Sequence, residues 1–324
     1  MLGAFDEVTG GGERWQVSFG WRYQKSDRHF RGSEEEENRA AEGSEVINTL
    51  HLADLGIRYN FDPQTSLSVG IPYLMAERSS PIRDDDRVVV DRSISQARGL
   101  GDISIVGRRL LFDPLTRPKG NLSFGLGVKL PTGANNVNDQ RTRLVDGERV
   151  TTIETVDQSI QPGDGGFGVI VDFGGYRLLG ASGEYAAYAS GVYLINPEGT
   201  SGVATFRGRE NEAIMSIADQ YLLRVGAIAG PESWKGWSAG LGGRLEGVPA
   251  HDLIGSSDGF RRPGYAVSVE PSLSWTKGSN SVSLSVPIAV YRNRVRSVPD
   301  REVGGHGDAA FADYVVLLGY WRRF

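Results

Sequence analysis

The chain has 324 residues, 44 of them glycine and none cysteine, with a mean hydropathy of -0.29. No window approaches the run of about 18 apolar residues that marks a membrane-spanning helix, which excludes a helical membrane protein. The absence of cysteine excludes a disulfide framework and a thiolate metal site, and the net charge of -5 argues against nucleic acid as a partner.

Apolar and polar residues alternate in twelve segments along the chain, the pattern of strands with one apolar face. The clearest is Glu13–Gln24, in which Trp15, Val17, Phe19 and Trp21 share a face. The other predicted strands are Leu50–Phe61, Ser66–Ala76, Leu100–Phe112, Asn121–Pro131, Gly166–Gly174, Ser182–Ile195, Ser216–Ala229, Gly236–Gly247, Gly264–Thr276, Ser281–Tyr291 and Ala310–Phe324. The phase of the seventh is ambiguous, because Tyr185 and Tyr188 fall on opposite faces.

The connections between these segments alternate between short and long. Those after even-numbered strands are short and turn-like, as in Phe61-Asp62-Pro63-Gln64, whereas those after odd-numbered strands are long and charged. The long ones are Lys25–Ser44, Glu77–Arg98, Thr132–Asp164, Asn196–Met215, Val248–Arg262 and Arg292–Ala309. This alternation is expected of short periplasmic turns and long extracellular loops. Within the third, Asp146-Gly147 between strand-forming runs predicts a hairpin above the membrane.

Aromatic residues on the apolar faces fall into two belts when odd strands run outward. The predicted periplasmic belt is Trp15, Tyr59, Trp237, Trp275, Tyr320 and Phe324, and the predicted outer belt is Tyr23, Tyr73, Tyr221, Tyr265 and Tyr314. Interfacial rings of this kind indicate a membrane barrel. A soluble β-sandwich or lipocalin-like barrel would have a polar outward face, whereas here the inward face carries the glycines and charges. We therefore predict an all-β fold, a single twelve-stranded antiparallel transmembrane β-barrel.

The two ends of the chain carry separate expectations. The last strand ends on Phe324 after alternating apolar residues, which resembles the assembly signal of bacterial outer-membrane barrels and predicts the barrel-assembly machinery as a partner. Arg322 departs from that pattern and is expected to reach the headgroups. Met1–Gly12 has neither a basic nor an apolar region, so we expect a removed signal peptide and an added Met. Residues 1–12 are predicted to be a short periplasmic segment, and 13–324 the barrel.

Charged residues recur on the inward face of the predicted strands. The predicted lumen-lining set is Arg22, Asp54, Arg58, Asp102, Arg108, Lys129, Asp172, Arg224, Arg244, Glu246 and Glu270. One interpretation is a set of ion pairs that holds the interior, because a charge in a narrow lumen needs a partner. The other is a selectivity lining for a small polar or amphipathic solute. Inward glycines such as Gly125 and Gly242 favour some open space.

Catalytic and metal-binding patterns are weak. Of four histidines, only His51 lies on a predicted strand, and no serine can be assigned to it by spacing. The acidic runs at 34–37 and 84–86 lack the ligand spacing of a defined cation site and are typical of solvated loops. We predict no catalytic residue, no metal site and no cofactor, and a protein that is not an enzyme.

Two motifs carry a family resemblance. Gly99-Leu100-Gly101-Asp102-Ile103-Ser104, followed by Leu126-Gly127-Val128-Lys129-Leu130-Pro131-Thr132-Gly133, resembles the family named for the MetA pathway of phenol degradation. Segment 258–265 (DGFRRPGY), with Val269-Glu270-Pro271 and Ser285-Val286-Pro287, is similar to members of the same broad group. The resemblance implies an outer-membrane barrel related in architecture to fatty-acid and aromatic-hydrocarbon channels. Those channels carry an N-terminal plug, for which Met1–Gly12 is too short.

The function predicted from these features is a porin-like channel in the Gram-negative outer membrane. It would take up a small aromatic or amphipathic solute passively through a charge-lined lumen, in contact with membrane lipid and lipopolysaccharide. The alternative is a closed structural barrel that acts through its extracellular loops. Channel conductance distinguishes the two.

Overall fold

Twelve antiparallel strands close into a barrel in the computed structural model, which describes residues 13–180 and 183–324. The predicted periplasmic segment Met1–Gly12 and Ser182 of the seventh predicted strand lie outside the described residues. No helix in the described residues has the length and hydropathy that a membrane-spanning helix requires.

The strands are, in chain order, β1 Trp15–Arg31, β2 Glu34–Glu35, β3 Ile47–Asn60, β4 Thr65–Arg83, β5 Val89–Leu100, β6 Ser104–Leu110, β7 Gly120–Lys129, β8 Asn138–Val145, β9 Glu148–Thr155, β10 Gly168–Leu179, β11 Tyr185–Ile195, β12 Thr200–Ala204, β13 Ile214–Ser216, β14 Gln220–Ala229, β15 Trp237–Val248, β16 Gly264–Lys277, β17 Asn280–Ser285, β18 Ile288–Arg294 and β19 Ala309–Arg323. The short helices α1 (Asn38–Ala41) and α2 (Val298–Glu302) lie in loops. Two of the twelve barrel strands are interrupted. β5 and β6 together form the fourth barrel strand, and β17 and β18 together form the eleventh.

The barrel closes where the last strand pairs with the first. The β1–β19 ladder runs from Gln16 opposite Arg323 to Phe30 opposite Ala309, with register shifts around Ser26. Closure satisfies the backbone N–H and C=O groups of both strands, which an open sheet edge in lipid would leave unpaired.

The outward face of the wall is apolar and bounded by aromatic rings, as predicted. Phe19, Phe124 and Leu241 are among the side chains that remain at least half exposed on this face. Near the periplasmic end, Trp15 packs on Tyr59 and Trp237 on Trp275, with ring centroids 4.8 and 6.4 Å apart. Pairs of tyrosines, Tyr193–Tyr221 and Tyr265–Tyr291, lie towards the outer end. This apolar band between two aromatic belts is the surface that a lipid bilayer requires.

Strands on one side of the barrel are longer than predicted. The connection predicted at Glu77–Arg98 is instead the end of β4 and most of β5, joined by a turn at 84–88 that Asp84 caps. Polar and charged residues predominate in this extension, which projects beyond the lipid, so it carries no sustained apolar alternation. The predicted hairpin at Asp146-Gly147 is confirmed as β8 and β9, with positive φ at both turn residues.

Candidate functional site

A layer of ion pairs crosses the barrel interior at mid-height. Arg22 on β1 reaches Glu246 on β15, and its two terminal nitrogens lie 3.1 and 3.3 Å from the carboxylate oxygens. Because β1 and β15 lie on different parts of the wall, with β19, β17–β18 and β16 between them, this contact spans the lumen. Gln24 accepts a further bond from Arg22 at 2.6 Å, which orients the guanidinium.

The same layer continues through the neighbouring strands. Arg244 donates to Glu246 at 2.6 Å and lies 3.9 Å from Glu270. Arg224 holds Glu270 with two bonds of 2.6 and 3.1 Å, and Ser285 Oγ donates to it at 3.0 Å. Glu270 is almost completely buried, with a relative exposure of 1%. Five charged side chains therefore form one continuous series of ion pairs of alternating sign.

Two further groups complete the predicted charges. Nearer the periplasmic end, Arg108 holds Asp172 with bonds of 2.8 and 3.1 Å, and Arg58 donates to Ser68. At the outer side, Lys129 forms an ion pair with Asp164 and lies 3.7 Å from Asp102. Asp102 also accepts from the backbone N–H groups of Gly133 and Asp164, so it fixes the start and end of the third long connection.

Asp54 is a predicted lumen residue that forms no ion pair within residues 13–180 and 183–324. Its Oδ1 is buried and has no hydrogen-bond partner in that part of the chain.

The inward glycines do not leave open space, which corrects the expectation from the sequence. A Cβ on Gly125 would lie 2.3 Å from an oxygen of Asp172, so this glycine makes room for the Arg108–Asp172 pair. Gly226 and Gly242 lie beneath the Tyr188 hydroxyl in the same way. Tyr188 therefore points inward and Tyr185 outward, which resolves the ambiguous phase of the seventh strand.

A cavity of about 610 Å³ occupies the outer half of the barrel. Arg22 and Glu246 line its inner end, so the charged layer forms its floor. Leu50, Leu222 and Val315 contribute apolar wall. A cavity of this size and mixed lining is within the range of small-molecule sites.

Loop residues cover the cavity from the outside. After β9 the chain turns inward, and Val156 and Ile160 bury themselves against the barrel wall. The wall side of this apolar cluster comprises Leu50, Leu52, Leu74, Ala76 and Ala97. Burying Val156 and Ile160 contributes on the order of 1.5–3 kcal/mol for each side chain, which holds the loop inside the barrel.

Buried ion pairs lock the cover in place. Asp157, next to Val156, accepts two bonds of 2.8 Å from Arg262 and lies 3.5 Å from Arg78. Burial alone would raise the pKa of Asp157, but these two guanidinium groups hold it well below its usual range. A second pair, Arg261 with Asp252, is fully buried and joins the loop before β16 to Ser216.

His29 and Asp308 form a third link in the cover. The His29 ring accepts from the backbone N–H of Val46 at 2.9 Å and contacts Asp308 at 2.6 Å through its other nitrogen. Burial of Asp308 would raise its pKa, yet His29 and Arg39 lower it instead. The carboxylate is therefore ionised beside the cavity at neutral pH.

Sequence reasoning missed the residues that close the cavity. Asp157, Arg207 and Arg262 lie in loops, where no periodicity assigns a direction to a side chain. The run Phe260-Arg261-Arg262-Pro263 stands out in the sequence only as part of a family resemblance. His51, considered as a candidate catalytic residue, lies on the outward face between the rings of Trp21 and Tyr23.

No protein-family model and no curated protein matches this sequence. Among solved structures, the chain is similar to an outer membrane channel from Pseudomonas putida F1, with a TM-score of 0.62 and 11% identity over 99% of this chain and 100% of that one. It is also similar to the β domain of the Bordetella autotransporter BrkA, with a TM-score of 0.49 and 14% identity over 95% of this chain and 100% of that one. A Pseudomonas aeruginosa FadL homologue has a TM-score of 0.46 and 7% identity over 97% and 91% of the two chains. The first similarity shows that this chain has the fold of an outer-membrane β-barrel, as the resemblance of its strand motifs implied.

Proposed function

We propose that this protein is a channel of the bacterial outer membrane that passes a small amphipathic solute by diffusion. The observation that carries the proposal is the cavity in the outer half of the barrel, which ends on the Arg22–Glu246 pair rather than on a packed core. The description of the similar Pseudomonas putida protein as an outer membrane channel supports it.

Passage requires the charged layer to open. Among residues 13–180 and 183–324, the side chains of Glu246 and Gln24 hold Arg22, so a rotamer change removes the contact that crosses the lumen. Glu246 keeps its bond to Arg244 when Arg22 leaves, and no carboxylate is stranded. The solute would bind in the cavity, displace Arg22 and move towards the periplasm without cofactor or energy coupling.

The membrane partners follow from the outer surface. The apolar band would contact lipid, and the polar extension of β4 and β5 would lie at the height of the lipopolysaccharide sugars. We propose that the strand ending at Phe324 is read by the barrel-assembly machinery, because its alternating apolar residues end on an aromatic ring. Isolation of the native complex tests both contacts.

Single-channel recording in planar bilayers tests the function. The purified chain should give a small current that rises with salt, and Arg22→Ala should give a larger one because the floor is removed. Arg109→Ala is the matched control, since Arg109 follows inward Arg108 on β6 and points outward. Silence of both the wild type and Arg22→Ala would contradict the proposal and favour the closed barrel that acts through its loops.

A further inference from the structure

Arg207 lies in the cover of the cavity without an acidic partner. It lines the cavity, its Nε is buried with no hydrogen-bond partner, and it forms no ion pair with any residue of 13–180 or 183–324. The other arginines that line the cavity each have a carboxylate within 4 Å. These pairs are Arg22–Glu246, Arg39–Asp308, Arg78–Asp157, Arg261–Asp252 and Arg262–Asp157.

Aromatic rings hold this guanidinium in place of an acid. Its Cζ lies 4.3 Å from the ring centroid of Phe260 and 5.4 Å from that of Phe206. A ring takes the flat face of a guanidinium and leaves the N–H groups at its edge available. Arg207 is thus fixed as a donor whose planar fork matches a carboxylate.

The backbone around Arg207 is fixed as well. Thr205 donates from its N–H to Ala213 O at 2.7 Å and from its hydroxyl to Glu212 O at 2.6 Å. The Arg207 N–H donates in turn to the Thr205 hydroxyl at 3.0 Å. The hairpin formed by β12 and β13 therefore positions the side chain over the cavity before any ligand binds, which lowers the entropic cost of binding.

Part of the cavity wall suits an apolar body. Leu50, Leu222, Met215 and Val315 line it, and each of its lining arginines other than Arg207 has a carboxylate within 4 Å. A ligand that complements this surface has one negative charge and an otherwise apolar framework. Inorganic phosphate lacks the apolar body that would contact Leu50, Leu222 and Val315, so it should bind more weakly.

We propose that the cavity binds small amphipathic carboxylates, with the carboxylate on Arg207 and the hydrocarbon body against Leu50, Leu222 and Val315. This names the solute class of the channel proposed above and rests on that function. Arg207 would capture the solute at the outer side, and Arg22 at the floor offers the next cation once Glu246 is left to Arg244.

Calorimetric titration of the folded chain in detergent tests the inference with three probes: 4-phenylbutyrate, its neutral analogue 4-phenylbutanol, and inorganic phosphate. The wild type should bind the acid about tenfold or more tightly than the alcohol, because a charged hydrogen bond is lost with the alcohol. Arg207→Gln should weaken acid binding by roughly 10- to 100-fold and leave alcohol binding unchanged. Arg207→Lys, which keeps the charge but not the fork, should fall between them.

Arg209→Gln is the matched control, because Arg209 is two residues away, carries the same charge and does not line the cavity. Heat-modifiable migration establishes that each variant is folded. If Arg207→Gln does not fold, Arg207→Lys takes its place in the binding test. Equal binding of acid and alcohol by the wild type, an unchanged affinity in the Arg207 variants, or phosphate that competes at equal affinity overturns the inference.

The same preparations are recorded in planar bilayers. A chain that conducts but binds the acid and the alcohol with equal affinity refutes the proposed solute class and is still consistent with a channel. A silent chain that binds the acid through Arg207 refutes the channel and leaves the binding site standing.

Discussion

Replacement of Glu270 by alanine should destabilise the barrel more than any other single change in the charged layer. The carboxylate is buried and accepts from Arg224 and Ser285, with Arg244 close by. Its removal takes from Arg224 a carboxylate that accepts two of its hydrogen bonds, and Arg244 keeps its bond to Glu246. Removing one partner of a buried ion pair costs about 3–5 kcal/mol, and we expect the free energy of unfolding to fall by that amount.

Urea unfolding in lipid vesicles, followed by tryptophan fluorescence, measures this loss. Glu232→Ala in an exposed periplasmic turn is the control and should change stability by no more than about 0.5 kcal/mol. Adding Arg224→Met to Glu270→Ala should recover part of the loss, with a coupling on the order of 1–3 kcal/mol. A loss below about 1 kcal/mol, together with a shift of ion selectivity towards anions, would mean that Glu270 lies in a water-filled lumen and that our reasoning is wrong.

Three further changes test other parts of the structure. Arg22→Ala should cost only about 0–1 kcal/mol in the same unfolding assay, because its partner Glu246 keeps a second cation; a larger loss would show that the floor is structural. The pKa of Asp157 lies below its usual range, so its pairing stabilises the loop above about pH 4 and is lost as the pH falls further; limited proteolysis that already cuts this loop at about pH 6 would contradict the assignment. Gly125→Ala should cost about 1–3 kcal/mol by overpacking, whereas Gly107→Ala, with only a carbonyl oxygen at 3.7 Å, should cost less.

The part of the fold that could be predicted is the part that lipid constrains. The lipid hydrocarbon requires apolar outward side chains such as Phe19, Phe124 and Leu241. This requirement imposes a period of two on their strands and fixes which neighbouring residues face inward. The inward position of Arg22 and Glu246 follows from that period, but their contact depends on how far the strands are offset around the barrel. No local pattern in the sequence encodes that offset.

The cover of the cavity was beyond prediction for a different reason. The β4–β5 extension leaves the lipid at about Glu77, where the apolar alternation ends although the strand continues. Asp157 and Arg207 owe their roles to loops that fold over the barrel. The burial of Asp157, and the lack of an ion pair for Arg207 within the described part of the chain, appear only in three dimensions. The Asp146-Gly147 turn was predictable because its positive φ angles select its residues.

The bond across the lumen also has a consequence for the order of assembly. Arg22 and Glu246 are 224 positions apart in the chain, and the first strand pairs with the last. Contacts this distant require a large loop to close before they contribute any stability, which slows folding. The guanidinium of β1 must therefore stay hydrated, or be neutralised by another group, until β15 is in place. We expect the layer of ion pairs to form late and together, so that weakening it speeds unfolding more than it slows folding.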